Sequence, residues 1–206
     1  ALDHDKRIKF SDGASYDSHY GVRVYGNSHG MLGSYASSRH SISCSVIAED
    51  SKGMERDYSY TSARDKFDLW TPERVGVEAA ERTISRMEPR RVATCHAPVM
   101  FAADVATGLL GHLVMGISGS SLYRKSSFLL DKLGHQILPE WFEVYERPHI
   151  LKGMASAPFD SDGMFTRDLD IIKNGNLQPT VQPALPTANW ACRKTVNPVV
   201  PITCLL

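Results

Sequence analysis

One stretch limits what this chain can fold into more than any other: Phe101 to Phe128, FAADVATGLLGHLVMGISGSSLYRKSSF. Val105, Leu109, Leu113 and Ile117 recur every fourth residue, and Leu110 and Val114 widen the stripe. That spacing predicts a helix with Gly119 as its stop. No apolar run in the chain approaches the roughly 20 residues of a membrane span, so the stripe must be buried in a core. The one ionisable interruption between Val105 and Ile117 is His112. A zinc site on a single helix needs a second His or a carboxylate about three to five residues from the first. Leu113, Val114, Met115, Gly116 and Ile117 supply none, and Gly108 and Gly111 upstream are equally inert. His112 is therefore expected to be a helix histidine hydrogen-bonded in or near a core. The alternative is a solitary ligand completed from His96, His135 or His149.

With 206 residues the chain is long enough for one or two domains with a proper core. Its 23 basic and 23 acidic side chains cancel, which argues against a protein whose main task is gripping nucleic acid. Cys44, Cys95, Cys192 and Cys204 form no CxxC pair and no metal spacing, and are read as reduced thiols. The first residues, ALDHDKRIKF, carry neither an initiator Met nor the apolar segment of a secretory signal. The expectation is a piece of a longer, soluble, cytoplasmic protein.

From Tyr20 to Arg64 the pattern is strand and turn. Val22 and Val24 precede a Gly-Asn-Ser-His-Gly turn; Ile42, Cys44 and Val46 alternate with serines; EDSKG at 49–53 is a turn cluster; and Tyr58 and Tyr60 mark a third strand. Three strands on tight connections make an antiparallel meander, which tolerates one wet face. His29 and His40 flank this region and read as surface hydrogen-bonding turn residues. Thr71, Pro72 and Glu73 then form a helix start, and Val75, Val77, Ala80 and Ile84 carry the helix toward Met87 before Pro89 ends it. Glu78, Glu81, Arg82 and Arg86 are spaced for solvated ion pairs. RRVATCHAPVMFA is a strand candidate leading into the central helix. Cys95 beside His96 is only adjacency, because neighbours along a strand point to opposite faces.

Beyond Gly119, the exposed trio Tyr123, Arg124 and Lys125 beside Ser126 and Ser127 could contact a peptide carboxylate or a partner, since the arginine fork suits carboxylates. The alternative is a plain surface loop. PFDSDG at 158–163 lacks calcium-loop spacing and a closing glutamate, so it reads as an acidic turn. TRDLDIIKNG gives a strand closed by an Asn-Gly turn. The fold class that follows is α+β: an antiparallel sheet region with a connecting helix over 1–90, then over 91–177 the start of a second, mixed domain holding the central helix.

GVRVYGNSHGML, SSRHSISCSVIAED, MERDYSYT, the segment 97–141 and LKGMASAPFDSDG together resemble the PmbA/TldD metallopeptidase family, with the likeness running from about Lys6 to Gly175. The resemblance implies a two-chain peptidase in which a zinc-bearing TldD chain and a TldE chain enclose a chamber for peptides. In the TldD chain the corresponding helix carries HExxxH, with the glutamate as general base. Aligned through Leu109 and Leu110, that motif places its first His on Gly111, its Glu on His112 and its second His on Gly116. The resemblance thus implies a non-catalytic TldE-type subunit that binds no cofactor itself, the zinc being expected in a TldD-like partner. It also implies proteolysis and peptide maturation as the role, with modulation of DNA gyrase through protein contact as the alternative, and no membrane or direct nucleic-acid partner. After Gln178 the sequence turns to PTVQPALPTANWACRKTVNPVVPITCLL, rich in Pro, Val and Thr and free of carboxylates. Read one base out of register, Asn189, Trp190 and Ala191 yield Leu-Gly, in keeping with the family's continuation, so 178–206 is expected to be an out-of-frame, non-native tail.

Overall fold

The structure is a computed structural model and describes residues 1–179. It is α+β, and the described residues divide into two compact units, residues 1–23 with 36–97, and residues 24–35 with those from 98 on. The expected tail from 178 on lies almost wholly outside the described residues.

Strands β1 (Ile8–Gly26), β2 (Leu32–Asp50) and β3 (Gly53–Ala63) form a sheet in the order β1-β2-β3, which belongs to the first unit except for the β1–β2 hairpin tip, residues 24–35, which belongs to the second. β2 and β3 pair antiparallel from His40↔Ala63 to Asp50↔Gly53. The turn between them is tied by Asp50, whose carboxylate accepts from the backbone N–H of Lys52 at 2.7 Å and of Gly53 at 3.1 Å. Helix α1 (Pro72–Ser85) starts as its sequence predicts, with the Thr71 hydroxyl accepting from Arg74 N–H. It packs Ala79 and Ala80 onto Val46, Ala48 and Ile8, with Ile84 and Met87 at the margin. Thr83, wholly buried, donates to the Ala79 carbonyl at 2.7 Å, which makes a polar side chain tolerable in that seam. The surface side carries the Glu78–Arg82 pair at 2.8 Å. Arg86 turns instead to Glu55 and Asp57.

Four expectations are corrected here. The meander starts at Ile8, not Tyr20, because every residue from Lys9 to Tyr20 is exposed and no buried alternation marks the strand. Val77 lies on the exposed side of α1. His40 is no surface turn residue: it sits within β2, 2 % exposed, with Nδ1 3.0 Å from the Ser18 hydroxyl and its ring edge-on to Tyr20. Residues 90–102 form no strand and are exposed throughout; among the described residues no strand pairs with them, and Pro98 lacks the N–H a ladder needs.

The second unit contains α2 (Ala103–Gly116), α3 (Gly119–Tyr123) and a small antiparallel sheet of β4 (Val144–Glu146), β5 (Leu169–Lys173) and β6 (Asn176–Leu177). β5 and β6 are joined through Asn174 and Gly175, both at positive φ, as the Asn-Gly turn requires. The core gathers Leu110 and Ile117 with Leu129, Val144, Ile172 and Leu177. Phe159 forms a second focus, receiving the rings of Tyr25 and Tyr35 from the hairpin tip. The acidic turn is present: the Asp160 carboxylate accepts from the N–H of Asp162 and Met164, and Gly163 stands at φ 80° where the Tyr25 ring leaves no room for a Cβ.

Candidate functional site

The site to be judged is α2 and the turn that follows it. Ala102 occupies the N-cap with no side-chain hydrogen bond, so the helix start is held only by backbone bonds such as Ala106 N–H to Ala102 O at 2.9 Å. The other end is built more firmly. Ile117 caps α2, and Ser118 accepts from Ser121 N–H to begin α3. Gly119 therefore opens a new short helix rather than stopping the old one. Ser127 reaches back to donate to the Gly116 carbonyl and accepts from Leu129 N–H at 3.0 Å. That clamp satisfies one of the carbonyls a helix end leaves open, and it sets the ring of Phe128 against Gly116.

The buried face of α2 differs from the predicted one by a single residue. Ala106, Leu110, Gly116 and Ile117 are buried and Leu113 packs beside them, whereas Val105 and Leu109 are 59 % and 51 % exposed. The helix is apolar on most of its circumference, so periodicity alone does not choose the face. The open side includes Val105, Gly108, Leu109, Gly111, His112 and Met115. Of the expectation that His112 is hydrogen-bonded in or near a core, burial in the core does not hold: the side chain is exposed, on the face one step from the packed one.

The three positions compared with HExxxH meet different surroundings. Gly111 is exposed, and a Cβ built there would touch nothing within 4 Å. His112 is the only one of the three with a side chain that can bind a metal. Gly116 is buried, and a Cβ there would come within 3.0 Å of the Phe128 ring and 3.3 Å of Leu129. The space a donor would need at 116 is therefore taken by an aromatic ring.

The remote histidines do not converge on His112 in any recorded contact. His149 pairs through Nε2 with the Thr166 hydroxyl at 3.0 Å, His135 lies exposed in the turn that pairs with Leu177, and His96 lies in the exposed segment 90–102. Among the described residues no three or more His, Cys, Asp or Glu side chains are grouped to hold a metal ion. Cys44 is half-buried and Cys95 exposed, both as free thiols.

Tyr123, Arg124 and Lys125 are brought together as the last residue of α3, its cap, and a following residue at φ 54°, all three exposed. Their position suits cations, since backbone carbonyls at a helix end carry partial negative charge. Chemically they offer one planar donor fork, one ammonium and one phenol to an anion or a carboxylate. A charge-assisted pair in this unit lies elsewhere: Arg147 donates to Asp170 at 2.7 Å, holding that carboxyl below its usual range and raising its own pKa. Arg147 also donates to the carbonyls of Glu146 and Leu169, so it fastens β4 to β5. Two features carry no local signal in the residue pattern, the burial of His40 and the contact of Phe128 with Gly116, because both depend on chain segments brought together by folding.

Comparison with known proteins places these features in a family. Residues 1–87 match the PmbA/TldA metallopeptidase central domain and residues 94–199 the PmbA/TldA metallopeptidase C-terminal domain. The chain is 60 % identical over 177 residues to metalloprotease PmbA of Escherichia coli O157:H7, covering 86 % of this chain and 39 % of that protein. It is 54 % identical over 178 residues to a PmbA homologue of Haemophilus influenzae, covering 86 % of this chain and 40 % of the homologue. It therefore spans about two fifths of the length of these relatives. A candidate modulator of DNA gyrase from Bacteroides thetaiotaomicron superposes with a TM-score of 0.83 at 25 % identity, over 92 % of this chain and 45 % of that one. TldE from Thermococcus kodakarensis, at 20 % identity, shares the fold with a TM-score of 0.60 over 80 % of this chain and 37 % of its own.

Proposed function

The chain belongs to the PmbA/TldA metallopeptidase family, and from that premise we propose that it is part of a non-catalytic, TldE-type subunit of a two-chain zinc metallopeptidase. The observation that carries this reading is the state of α2: no donor at Gly111, a lone exposed imidazole at His112, and at Gly116 a backbone pressed against the Phe128 ring. Such a helix offers no second donor within a turn of His112, where a hydrolytic zinc needs about three ligands, and its one carboxylate, Asp104, stands in the first turn, too far along the helix to act as general base beside that imidazole. In this reading the chain takes no cofactor, the zinc and the general base come from a TldD-like partner, and the exposed apolar face of α2 lines the space where peptides are handled. Tyr123, Arg124 and Lys125 would meet a peptide carboxylate or the partner at its edge. The role is proteolysis and peptide maturation in the cytoplasm.

The test uses the complete protein, purified alone and with a TldD-like chain. Zinc content and cleavage of an unstructured peptide are measured in both preparations. Zinc and cleavage only in the presence of the partner are expected. Stoichiometric zinc with cleavage by this protein alone would sink the proposal.

A second reading has a specific observation behind it: the Bacteroides relative and its Thermotoga maritima counterpart, which superposes with a TM-score of 0.77, both carry the name of a candidate DNA gyrase modulator. Under that reading the complete protein binds gyrase directly. A pull-down that recovers gyrase and no zinc peptidase would favour it.

A further inference from the structure

Two stretches far apart in the chain share one pattern: Asn27-Ser28-His29-Gly30-Met31 at the β1–β2 hairpin tip and Asp160-Ser161-Asp162-Gly163-Met164 in the acidic turn. They fold the same way. In each, the first side chain accepts from the backbone N–H two and four residues on: Asn27 Oδ1 from His29 at 3.0 Å and Met31 at 3.1 Å, Asp160 Oδ1 from Asp162 at 2.8 Å and Met164 at 3.0 Å. In each, the first N–H donates to the methionine carbonyl and the glycine N–H donates back to the first carbonyl at 3.3 Å. The glycine takes a positive φ in both, 90° at Gly30 and 80° at Gly163. An Asn or Asp that bonds its own backbone, followed by a glycine free to adopt that φ, suits such a turn.

The two turns meet within the second unit. The Tyr25 hydroxyl donates to the Asp162 carbonyl at 2.9 Å and accepts from Asn27 Nδ2 at 3.4 Å, so one phenol joins the first residue of one turn to the third residue of the other. Phe159, directly before the second turn, is wholly buried, with the Tyr25 and Tyr35 rings at 6.3 and 5.2 Å. Its ring lies against Gly33, where a Cβ would come within 2.9 Å of it. Gly163 likewise has no room for a Cβ beside the Tyr25 ring.

We propose that the hairpin tip is a strap latched to the second unit, in which the turns at 27–31 and 160–164 order each other through Tyr25 and Phe159 and open and close as one. The strap is carried by β1 and β2, whose remaining residues belong to the first unit. Because the contacts that bury Phe159 and supply a donor to the Asp162 carbonyl belong to both turns, loss of either turn forfeits them for the other. These contacts lie inside the chain and need no surface to be free, and they are independent of the peptidase reading.

Hydrogen exchange, read by mass spectrometry on the complete protein, tests the latch, because an amide exchanges in proportion to how often its bond opens. Asn27→Ala removes the acceptor inside the tip, and Asp160→Ala the acceptor inside the acidic turn. Each should speed exchange about five-fold in the opposite turn as well as in its own, the factor that follows from losing one hydrogen bond. Tyr25→Phe, which keeps the ring and the internal bonds of both turns, should speed both by a similar factor. Exchange of β5, in the core of the second unit, should stay unchanged and marks a persisting fold. Acceleration confined to the substituted turn, or an acidic turn unmoved by Tyr25→Phe, would overturn the proposal. Should an alanine variant loosen β5 as well, the comparison of the two turns in Tyr25→Phe decides it.

Discussion

Replacing Gly108 and Gly111 by alanine probes whether the outer face of α2 is open, as the structure has it. Both residues lie inside α2, and an added Cβ at either finds nothing within 4 Å. Alanine in a helix interior is favoured over glycine by about 0.8–1.0 kcal/mol, because glycine loses more backbone freedom on folding. No steric cost offsets that gain at either position, so each single variant should be more stable by about 1 kcal/mol, and the double variant by about 2 kcal/mol. Urea unfolding followed by circular dichroism is a direct assay. With a slope of about 1–3 kcal/mol per molar urea, each substitution should raise the midpoint by roughly 0.3–1 M and leave the slope unchanged. Gly116→Ala is the internal control. Its methyl group must push the Phe128 ring and Leu129 by a few tenths of an ångström, so its helix gain should be reduced or cancelled. If Gly108→Ala or Gly111→Ala destabilises the chain, some segment packs on that face, and the assignment of an open α2 surface fails.

Three further outcomes are expected. Gly175→Ala should cost on the order of 2 kcal/mol or more in the same urea assay, since it combines a positive φ with a Cβ driven to 2.2 Å from the Leu138 carbonyl oxygen. Thr71→Ala should cost about 1 kcal/mol by removing the acceptor for Arg74 N–H, whereas Thr71→Ser should cost little. Asp170→Asn should lower stability at neutral pH by no more than about 1 kcal/mol, because both partners of the Arg147 pair are partly solvated. The Asp170 carboxyl is held below its ordinary 3.8, so its stabilisation is present above that value and lost as pH falls through the lowered one. The gap between wild type and variant should therefore narrow as the pH falls below 3.8, and a gap that widens there would exclude the ion pair as its source.

Local chemistry was readable wherever one residue type fixes the backbone. Thr71-Pro72 set the start of α1, Asp50 to Gly53 set the β2–β3 turn, and Asn174-Gly175 set the β5–β6 turn, because each depends on caps or on φ values within a few residues. Burial was readable only where one face is clearly apolar. In α1 the small residues Ala79 and Ala80 take the core and Val77 does not, and in α2 the apolar residues surround the helix, so the inward face was misjudged by one position. The first half of β1 has no buried alternation to read, since its order comes from pairing with β2. The segment 90–102 shows the reverse case: its sequence suits a strand, but a strand exists only where another chain segment completes its hydrogen bonds.

Under the proposed reading, the two faces of α2 show how a helix could lack the HExxxH donors and keep its fold. The core needs Leu110, Leu113 and Ile117, which join the cluster of the small sheet and Leu129, and none of these is a position compared with HExxxH. Donors at 111 and 112 would project from the open side, so their absence costs the core nothing. Position 116 is different, because it lies in the packed seam where Ser127 holds the chain and Phe128 covers the glycine. A histidine there must displace that ring before it can reach a metal. Under the proposed reading, the missing donors at 111 and 112 are single replacements on an open surface, whereas Gly116 and Phe128 are coupled. A donor introduced at 116 would therefore have to be accompanied by a shift of the Phe128 ring and Leu129.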